Sequence, residues 1–276
     1  MVIYSGCGVL SSMNIRPVYI LGAVLISIST TLSAQILVGP TVGTGISWVS
    51  FHEKDSRKFY KQTPMIGWLG GVDLSFQVRK SFYMHTALIY SRKGKNLSSD
   101  QAPDLKQREV DHHIDMPVLF THEFKIKMGR YKVVKWYGGI GPNISYWLGG
   151  KGTLNTSQLL EDGYPPIDYS VGFKEQDSNG GSVVTVHQAN RLQLGLNISV
   201  GAAFEPWGYH KVYVNLRYEL GHSYIAKGAA TTFPGVNDYS DDVRARNMGL
   251  RLSASYMIDL KTSERKKGKS TIKKKR

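Results

Sequence analysis

The sequence is short of cysteine, of long apolar runs and of acidic residues, and each shortage closes off a class of protein. Its single cysteine is Cys7. From Gln35 onward the chain therefore has no thiol, no disulfide and no cysteine metal site. Cys7 also precedes the apolar stretch of the leader instead of following it, the wrong place for a lipid-modified cysteine at a mature terminus. The hydrophobic fraction of 41% and the mean hydropathy of −0.25 are too low for a bundle of membrane helices.

Acidic residues number 21 against 35 Lys and Arg, a formal charge of +14. That excess is unevenly placed. Residues 261–276 hold nine basic residues and Glu264, a net of +8, and Arg16 adds +1, which leaves +5 for residues 35–260. The isoelectric point of about 9.7 is thus mostly a property of the tail, and no nucleic-acid partner is inferred from it.

Arg16, the apolar stretch Val18 to Ile28, the small polar residues Ser29, Thr30 and Thr31 and then Leu32-Ser33-Ala34 have the order of a secretory signal peptide, with cleavage expected between Ala34 and Gln35. The apolar stretch is too short to span a bilayer as a helix. Met13 offers an alternative start with a more ordinary leader.

From Gln35 to Leu260 the recurring pattern is apolar and polar residues alternating at period two, which puts successive side chains on opposite faces of a strand. Near the end, Met248, Leu250, Leu252, Ala254, Tyr256 and Ile258 oppose Asn247, Gly249, Arg251, Ser253, Ser255 and Asp259. The same separation runs from Arg191 to Glu205, Lys211 to Tyr224 and Ile66 to Arg79. It is weaker from Ile36 to Ser50, Phe82 to Lys93, Asp111 to Phe124 and Lys135 to Leu148. Eight strands of about ten residues or more are each long enough to cross an outer membrane when tilted.

The intervening segments alternate in length. Residues 51–65, 94–110, 149–190 and 225–246 are long, whereas 80–81, 125–134 and 206–210 are short. Bacterial barrels have short periplasmic turns and longer outer loops, and a soluble sandwich or lipocalin-like barrel has no such sidedness. The expected fold is all-β, an eight-stranded antiparallel transmembrane up-and-down barrel over residues 35–260. Residues 1–34 form its leader, and residues 261–276 form a basic disordered tail on the periplasmic side.

An eight-stranded barrel is narrow enough for side chains to fill. The inward set is expected to include Asp73, Asp115, Glu123, Lys135, Arg191, Glu205, Arg217, Glu219, Arg251 and Asp259, both signs pairing across the lumen. Trp48, Trp68, Phe82, Trp136, Trp207, Tyr209 and Tyr224 lie near strand ends as candidates for interfacial girdles, while Trp147 falls on the polar face of its strand.

The block Asp111-His-His-Ile-Asp-Met-Pro-Val-Leu-Phe120, the strand Trp136-Tyr-Gly-Gly-Ile-Gly-Pro-Asn-Ile-Ser-Tyr146 and the terminal Asn247-Met-Gly-Leu-Arg-Leu-Ser-Ala-Ser-Tyr256 resemble the PorT-type outer-membrane barrel family of Bacteroidota. The resemblance implies an outer-membrane barrel and, for some members, a part in type IX protein secretion or gliding. It carries over no catalytic residue. Two departures stand out, since no aromatic residue ends the chain and a basic tail follows the last strand. Pro117 within a strand leads us to expect a bulge there.

Asp111, His113 and Asp115 share one strand face near the outer side, with His112 on the other, a spacing that can align metal ligands. One strand rarely supplies a whole site, and ordinary polar contacts are the expected role. The run Gly39 to Gly45 has no strand-to-helix switch after it, so close strand packing is expected there and no phosphate cradle. No catalytic residue, cofactor or metal ligand is assigned. The expected function is a non-enzymatic structural or accessory component of an envelope complex in the outer membrane. Lipid surrounds it, and secretion-complex proteins contact it through outer loops or the basic tail. An outer-leaflet lipid-modifying enzyme and a narrow channel stay open as alternatives. The longest connection, Gly149 to Asn190, is the expected recognition surface.

Overall fold

The structure is a computed structural model that describes residues 35–128, 132–173, 182–186, 188–207, 210–228, 230–233 and 236–260. The expected leader, the basic tail, Tyr209, His187 and part of the longest connection lie outside the described residues.

Within them the chain runs β1 (Ile36–Phe51), α1 (Lys54–Phe59), β2 (Lys61–Thr63), β3 (Met65–Arg79), β4 (Phe82–Ser98), β5 (Lys106–Met128), β6 (Lys132–Asn155), α2 (Ser157–Glu161), β7 (Ile167–Gly172), β8 (Ser182–Thr185), β9 (Leu192–Trp207), β10 (His210–Gly221), β11 (Ala230–Phe233), β12 (Val236–Asp242) and β13 (Ala245–Asp259). Eight of these strands, β1, β3, β4, β5, β6, β9, β10 and β13, pair antiparallel with their neighbours, and β13 returns to pair with β1 from Leu37 opposite Asp259 to Phe51 opposite Ala245. The ring is thereby closed. Closure leaves no unpaired strand edge facing hydrocarbon, where a bare N–H or C=O has no partner.

Alternation now has a cause. In β9 the even-numbered residues Leu192, Leu194, Leu196, Ile198 and Val200 point outward and are exposed, while Gln193, Asn197 and Ser199 point inward and are buried. Leu88 of β4 is 62% exposed and its neighbours Ala87 and Ile89 are buried. A soluble protein would bury the apolar row. Here that row is the outer surface, a belt that runs through Ile66, Trp68, Leu88, Phe120, Phe124, Trp136, Ile140 and Leu252, as hydrocarbon requires. Trp68, Phe82 and Trp136 are among its exposed aromatics, whereas Trp147 is buried inside.

The β3–β4, β5–β6 and β9–β10 junctions, two or three residues each, fall at one end of the ring, and the four longer connections fall at the other. They are called the turn end and the loop end below. Beyond the belt the loop end differs from expectation. Residues 94–110, expected as a loop, are mostly strand, because β4 and β5 stay paired up to Ser98 opposite Lys106. Likewise β6 continues to Asn155, and the connection from 156 to 191 contains α2, β7 and β8. β7 pairs with β6, while β11 and β12 form a separate hairpin within the last connection. α2 forms where the Thr156 hydroxyl accepts a hydrogen bond from the Leu159 N–H at 3.4 Å, a cap that lets the helix bury Leu159.

The bulge expected at Pro117 is absent. The register of β5 with β4 and with β6 is the same on both sides of that residue, and the proline instead interrupts the ladder toward β4 between Thr86 and Ile89. A missing N–H costs a ladder bond without requiring an extra residue. The register shift of this strand pair lies at His112 and His113, opposite Gly149, whose φ of 143° only glycine adopts freely. Close packing explains the glycines of β1: a Cβ on Gly43 would stand 2.3 Å from the Leu252 carbonyl oxygen.

Candidate functional site: the filled lumen and its two mouths

At the turn end, Lys135 on β6 and Lys211 on β10 both face Glu205 on β9, with Nζ to Oε1 distances of 2.5 and 3.3 Å. Lys211 also donates to the Gln35 side chain at 3.2 Å, and Gln35 in turn donates to Asp259 at 2.5 Å. These groups surround a cavity of about 320 Å³. Tyr83 lines it, and further aromatic rings pack beyond. The Lys211 ammonium sits 5.5 Å from the centre of the Tyr83 ring, and His85, Tyr137 and Tyr213 pack with ring centres 5.4 to 5.7 Å apart.

Deeper in, Ser255 bridges Thr41 and Asp73 across β1, β3 and β13. A pocket of only about 20 Å³ remains beside Asp73, His85, Tyr137 and Arg217, room for roughly one water molecule.

Mid-barrel, charge fills the lumen. The Lys93 ammonium on β4 donates to Asp115 on β5 at 2.9 Å and to Glu219 on β10, and Arg251 on β13 approaches Glu219 at 3.6 Å. Ser91 and Ser145 donate to Asp115 at 2.6 and 2.5 Å, and Asn143 donates to Glu219 at 3.3 Å. Lys93, Asp115, Glu219 and Arg251 are all nearly solvent-free. Burying such charges is tolerable only when pairing and hydrogen bonds replace water, as they do for Lys93, Asp115 and Glu219, whereas Arg251 relies on its ion pair with Glu219.

Above this layer the Trp147 indole donates to Asp111 at 3.0 Å, and the His113 ring lies parallel to it, 6.2 Å away. Asp111, His113 and Asp115 do share the inner face: Asp111 and His113 both meet Trp147, by a hydrogen bond and by ring stacking, while Asp115 goes to Lys93, Ser91 and Ser145. His112 points outward, where its Nδ1 meets the Tyr90 hydroxyl at 2.5 Å. The expected polar contacts are present for Asp111 and Asp115, whereas both ring nitrogens of the buried His113 lack a hydrogen-bond partner among the described residues.

Beyond the lipid-facing belt a second polar cluster joins the extended strands to the loops. Lys95 pairs with Asp241 and lies 3.6 Å from Glu109; Tyr169 donates to Glu109 at 2.8 Å, and Tyr239 to Gln107 at 2.7 Å. Burial pushes the Glu109 carboxyl above the ordinary value despite Lys95. Over the cluster lies an apolar cap that includes Phe51, Leu97, Leu154, Leu159, Val184, Ile225, Phe233 and Val243, drawn from β1, β4, β6, β8, α2 and the last connection. This cap lies at the loop-end mouth.

Of the inward charges expected from sequence, Asp115, Arg217, Glu219, Arg251 and Asp259 are buried in the lumen, Asp73 is half-buried there, and Glu123, Lys135 and Glu205 line the turn-end cavity. Arg191 lies at the loop end, its guanidinium over the rings of Tyr146 and Phe173 at 4.7 and 4.6 Å. Lys93 ended its expected strand without a role, and Lys95, Gln107 and Glu109 were placed in a loop. The available signal was parity: Ser91, Lys93, Lys95 and Leu97, like Gln107, Glu109, Asp111, His113 and Asp115, continue the inward row at every second residue.

Among solved structures, the chain is similar to Neisserial surface protein A (11% identity over 83% of this chain and 100% of that one, TM-score 0.37) and to OprG from Pseudomonas aeruginosa (10% identity, 82% and 92%, TM-score 0.42). It is also similar to Ail of Yersinia pestis in complex with the heparin analogue sucrose octasulfate (11% identity, 81% and 99%, TM-score 0.34). No curated protein sequence matches. Residues 30–225 match the model of the outer membrane protein beta-barrel domain, and the chain, closed as a ring of eight strands with its apolar row outward, belongs to that family of outer-membrane barrels.

Proposed function

We propose that this barrel is a non-enzymatic structural or accessory component of an envelope complex, with the turn end and the carboxyl terminus in the periplasm. The observation that carries the reading is the buried layer of Lys93, Asp115, Glu219 and Arg251, which joins β4, β5, β10 and β13 where a conduit would need open space. The apolar cap above it favours a scaffold over a narrow channel. Orientation follows from loop length, since long connections belong outside and short turns inside.

The PorT-type resemblance of the Asp111 to Phe120, Trp136 to Tyr146 and Asn247 to Tyr256 segments supports a role beside the type IX secretion machinery. The partner surface at the loop end is the connection from 156 to 191 with its neighbouring hairpin. Affinity purification from native membranes, with identification of bound proteins, tests the proposal. Co-purification of secretion proteins is expected. Lipid turnover by the purified barrel would instead favour an outer-leaflet enzyme, and reproducible single-channel conductance would favour a pore.

A further inference from the structure

Where β4, β5 and β6 continue above the lipid-facing belt, their charges divide by face. The carboxylates Glu109 and Asp111 point inward and are buried, as are Lys93 and Lys95. The outward row carries Arg92 on β4, Lys106 and Arg108 on β5 and Lys151 on β6, and no outward residue of these strands is acidic. Lys151 reaches this row through a register shift. His112 opposes Gly149 while His113 opposes Trp147, so Leu148 is an extra residue and parity reverses: Trp147 is buried and Lys151, four residues on, is exposed. Among the described residues none of the four outward cations has an ion pair. Other cations at this end are engaged, Arg191 over Tyr146, Arg246 over Tyr224 and Arg244 beside Glu53.

Two of these cations border a concavity. β6 pairs with β9 up to Tyr146 and with β7 from Gly150 onward, and beside this change of partner lies a groove of about 590 Å³ whose lining includes Arg108, Val110, Lys151, Thr153, Asp168 and Ser170. Two cations and two hydroxyls against one carboxylate favour an anion rich in oxygen acceptors. Lys151 opposes Val110 and so stands diagonal to Arg108, a spacing of roughly 7–8 Å that two phosphates, or one phosphate and its sugar, can bridge. Height narrows the ligand further. Lys151 is three residues beyond the exposed Leu148, and Arg108 opposes Thr153, five residues beyond it, which places them roughly 8 and 13 Å above the belt on tilted strands. The headgroup layer of an ordinary phospholipid is about 5–8 Å deep. A ligand that touches both cations must be taller.

We infer that this groove holds the phosphorylated sugar headgroup of a glycolipid, whose acyl chains lie on the belt below against the exposed Ile114, Tyr146 and Leu148. A lipid is favoured over a soluble anion because the groove opens on the outside of the ring, directly above residues that meet hydrocarbon. A ligand anchored in the bilayer is held at that height before any contact forms. Arg108 and Lys151 take the phosphate oxygens, and the Thr153 and Ser170 hydroxyls are placed for the sugar. The leaflet that supplies the lipid rests on the orientation proposed above; the binding itself does not.

The test expresses the full chain in a Gram-negative host, purifies the barrel from its outer membranes and places it in phosphatidylcholine nanodiscs doped with bisphosphorylated lipid A. Native mass spectrometry of the released barrel counts the lipid retained. R108Q/K151Q is expected to weaken retention about tenfold, whereas K54Q/K58Q, which removes the same charge from the exposed lysines of α1, should change it less than about twofold. Dephosphorylated lipid A and phosphatidylglycerol should both be retained more weakly by the parent and respond less to R108Q/K151Q. Heat-modified mobility on gels confirms that each variant is folded. Retention unchanged in R108Q/K151Q, or weakened equally in K54Q/K58Q, would overturn the groove as the site. Phosphatidylglycerol retained as well as lipid A would overturn the sugar headgroup. Displacement of the lipid by inorganic phosphate, or by a deca-glutamate peptide whose own binding R108Q/K151Q abolishes, would overturn the choice of a lipid. Because the assay uses purified barrel, its failure is separate from failure to recover secretion proteins from native membranes.

Discussion

The two mouths of one barrel are closed by opposite chemistry. At the loop end an apolar cap covers a buried polar cluster, while at the turn end a cavity is lined by lysines, glutamates and Tyr83. The difference follows from chain length. Four long connections reach across the loop-end mouth and bring their own apolar residues, among them Leu159, Val184, Ile225 and Phe233. Turns of two or three residues cannot cover the other mouth, so charged side chains on the strands must fill it. Stability should therefore depend on the mid-lumen and the cap more than on the charges at the turn end.

The largest expected effect comes from the layer between the two mouths. Lys93→Met leaves Asp115 and Glu219 buried without their shared cation, a loss of about 3–5 kcal/mol. Unfolding in urea, followed by heat-modified gel mobility, measures it; an unchanged midpoint would mean the pairs do not stabilise the barrel. Leu154→Ala, in the cap, should cost about 2–5 kcal/mol but act locally. Limited proteolysis should then cut the loop-end connections faster while the ring stays folded. Equal protection of variant and parent would break the distinction between cap and ring.

A smaller effect concerns Glu109, which stands above the lipid-facing belt of β5. Its folded pKa is raised by burial, so its contribution to cap stability is fully present below the ordinary carboxylate range and is lost as pH rises through the raised folded value. Glu109→Gln should flatten that loss between acidic and neutral pH, as read from the proteolysis rate. A pH profile identical to the parent would contradict it. Smallest of all is Glu205→Gln, whose partly exposed ion pairs should change stability by less than about 1 kcal/mol. A larger destabilisation would make the turn-end mouth a structural element like the cap.

The ring was legible in sequence because lipid enforces it. Leu192, Leu194, Leu196 and Ile198 had to be apolar against hydrocarbon while Gln193 and Asn197 had to fill a polar lumen, and that contrast wrote the period-two pattern. Above the belt the outward residues of β4 and β5, such as Arg92, Asn96, Lys106 and Arg108, are polar. The contrast disappears there although the strands continue, which is why residues 94–110 read as a loop. The cap was invisible for a different reason. Phe51, Leu154, Val184 and Phe233 come from distant segments, and only closure of the ring brings them over one mouth.

Spin labels placed singly along β9 give the most direct test of which row meets lipid. Residues 35–276 contain no native cysteine, so labels at L196C, N197C, I198C and S199C of the barrel in bilayers are unambiguous. Collision with dissolved oxygen should be high at 196 and 198 and low at 197 and 199, with a water-soluble nickel chelate excluded from all four. Oxygen exposure at 197 and 199, with 196 and 198 shielded, would contradict an outward apolar row and a filled polar lumen.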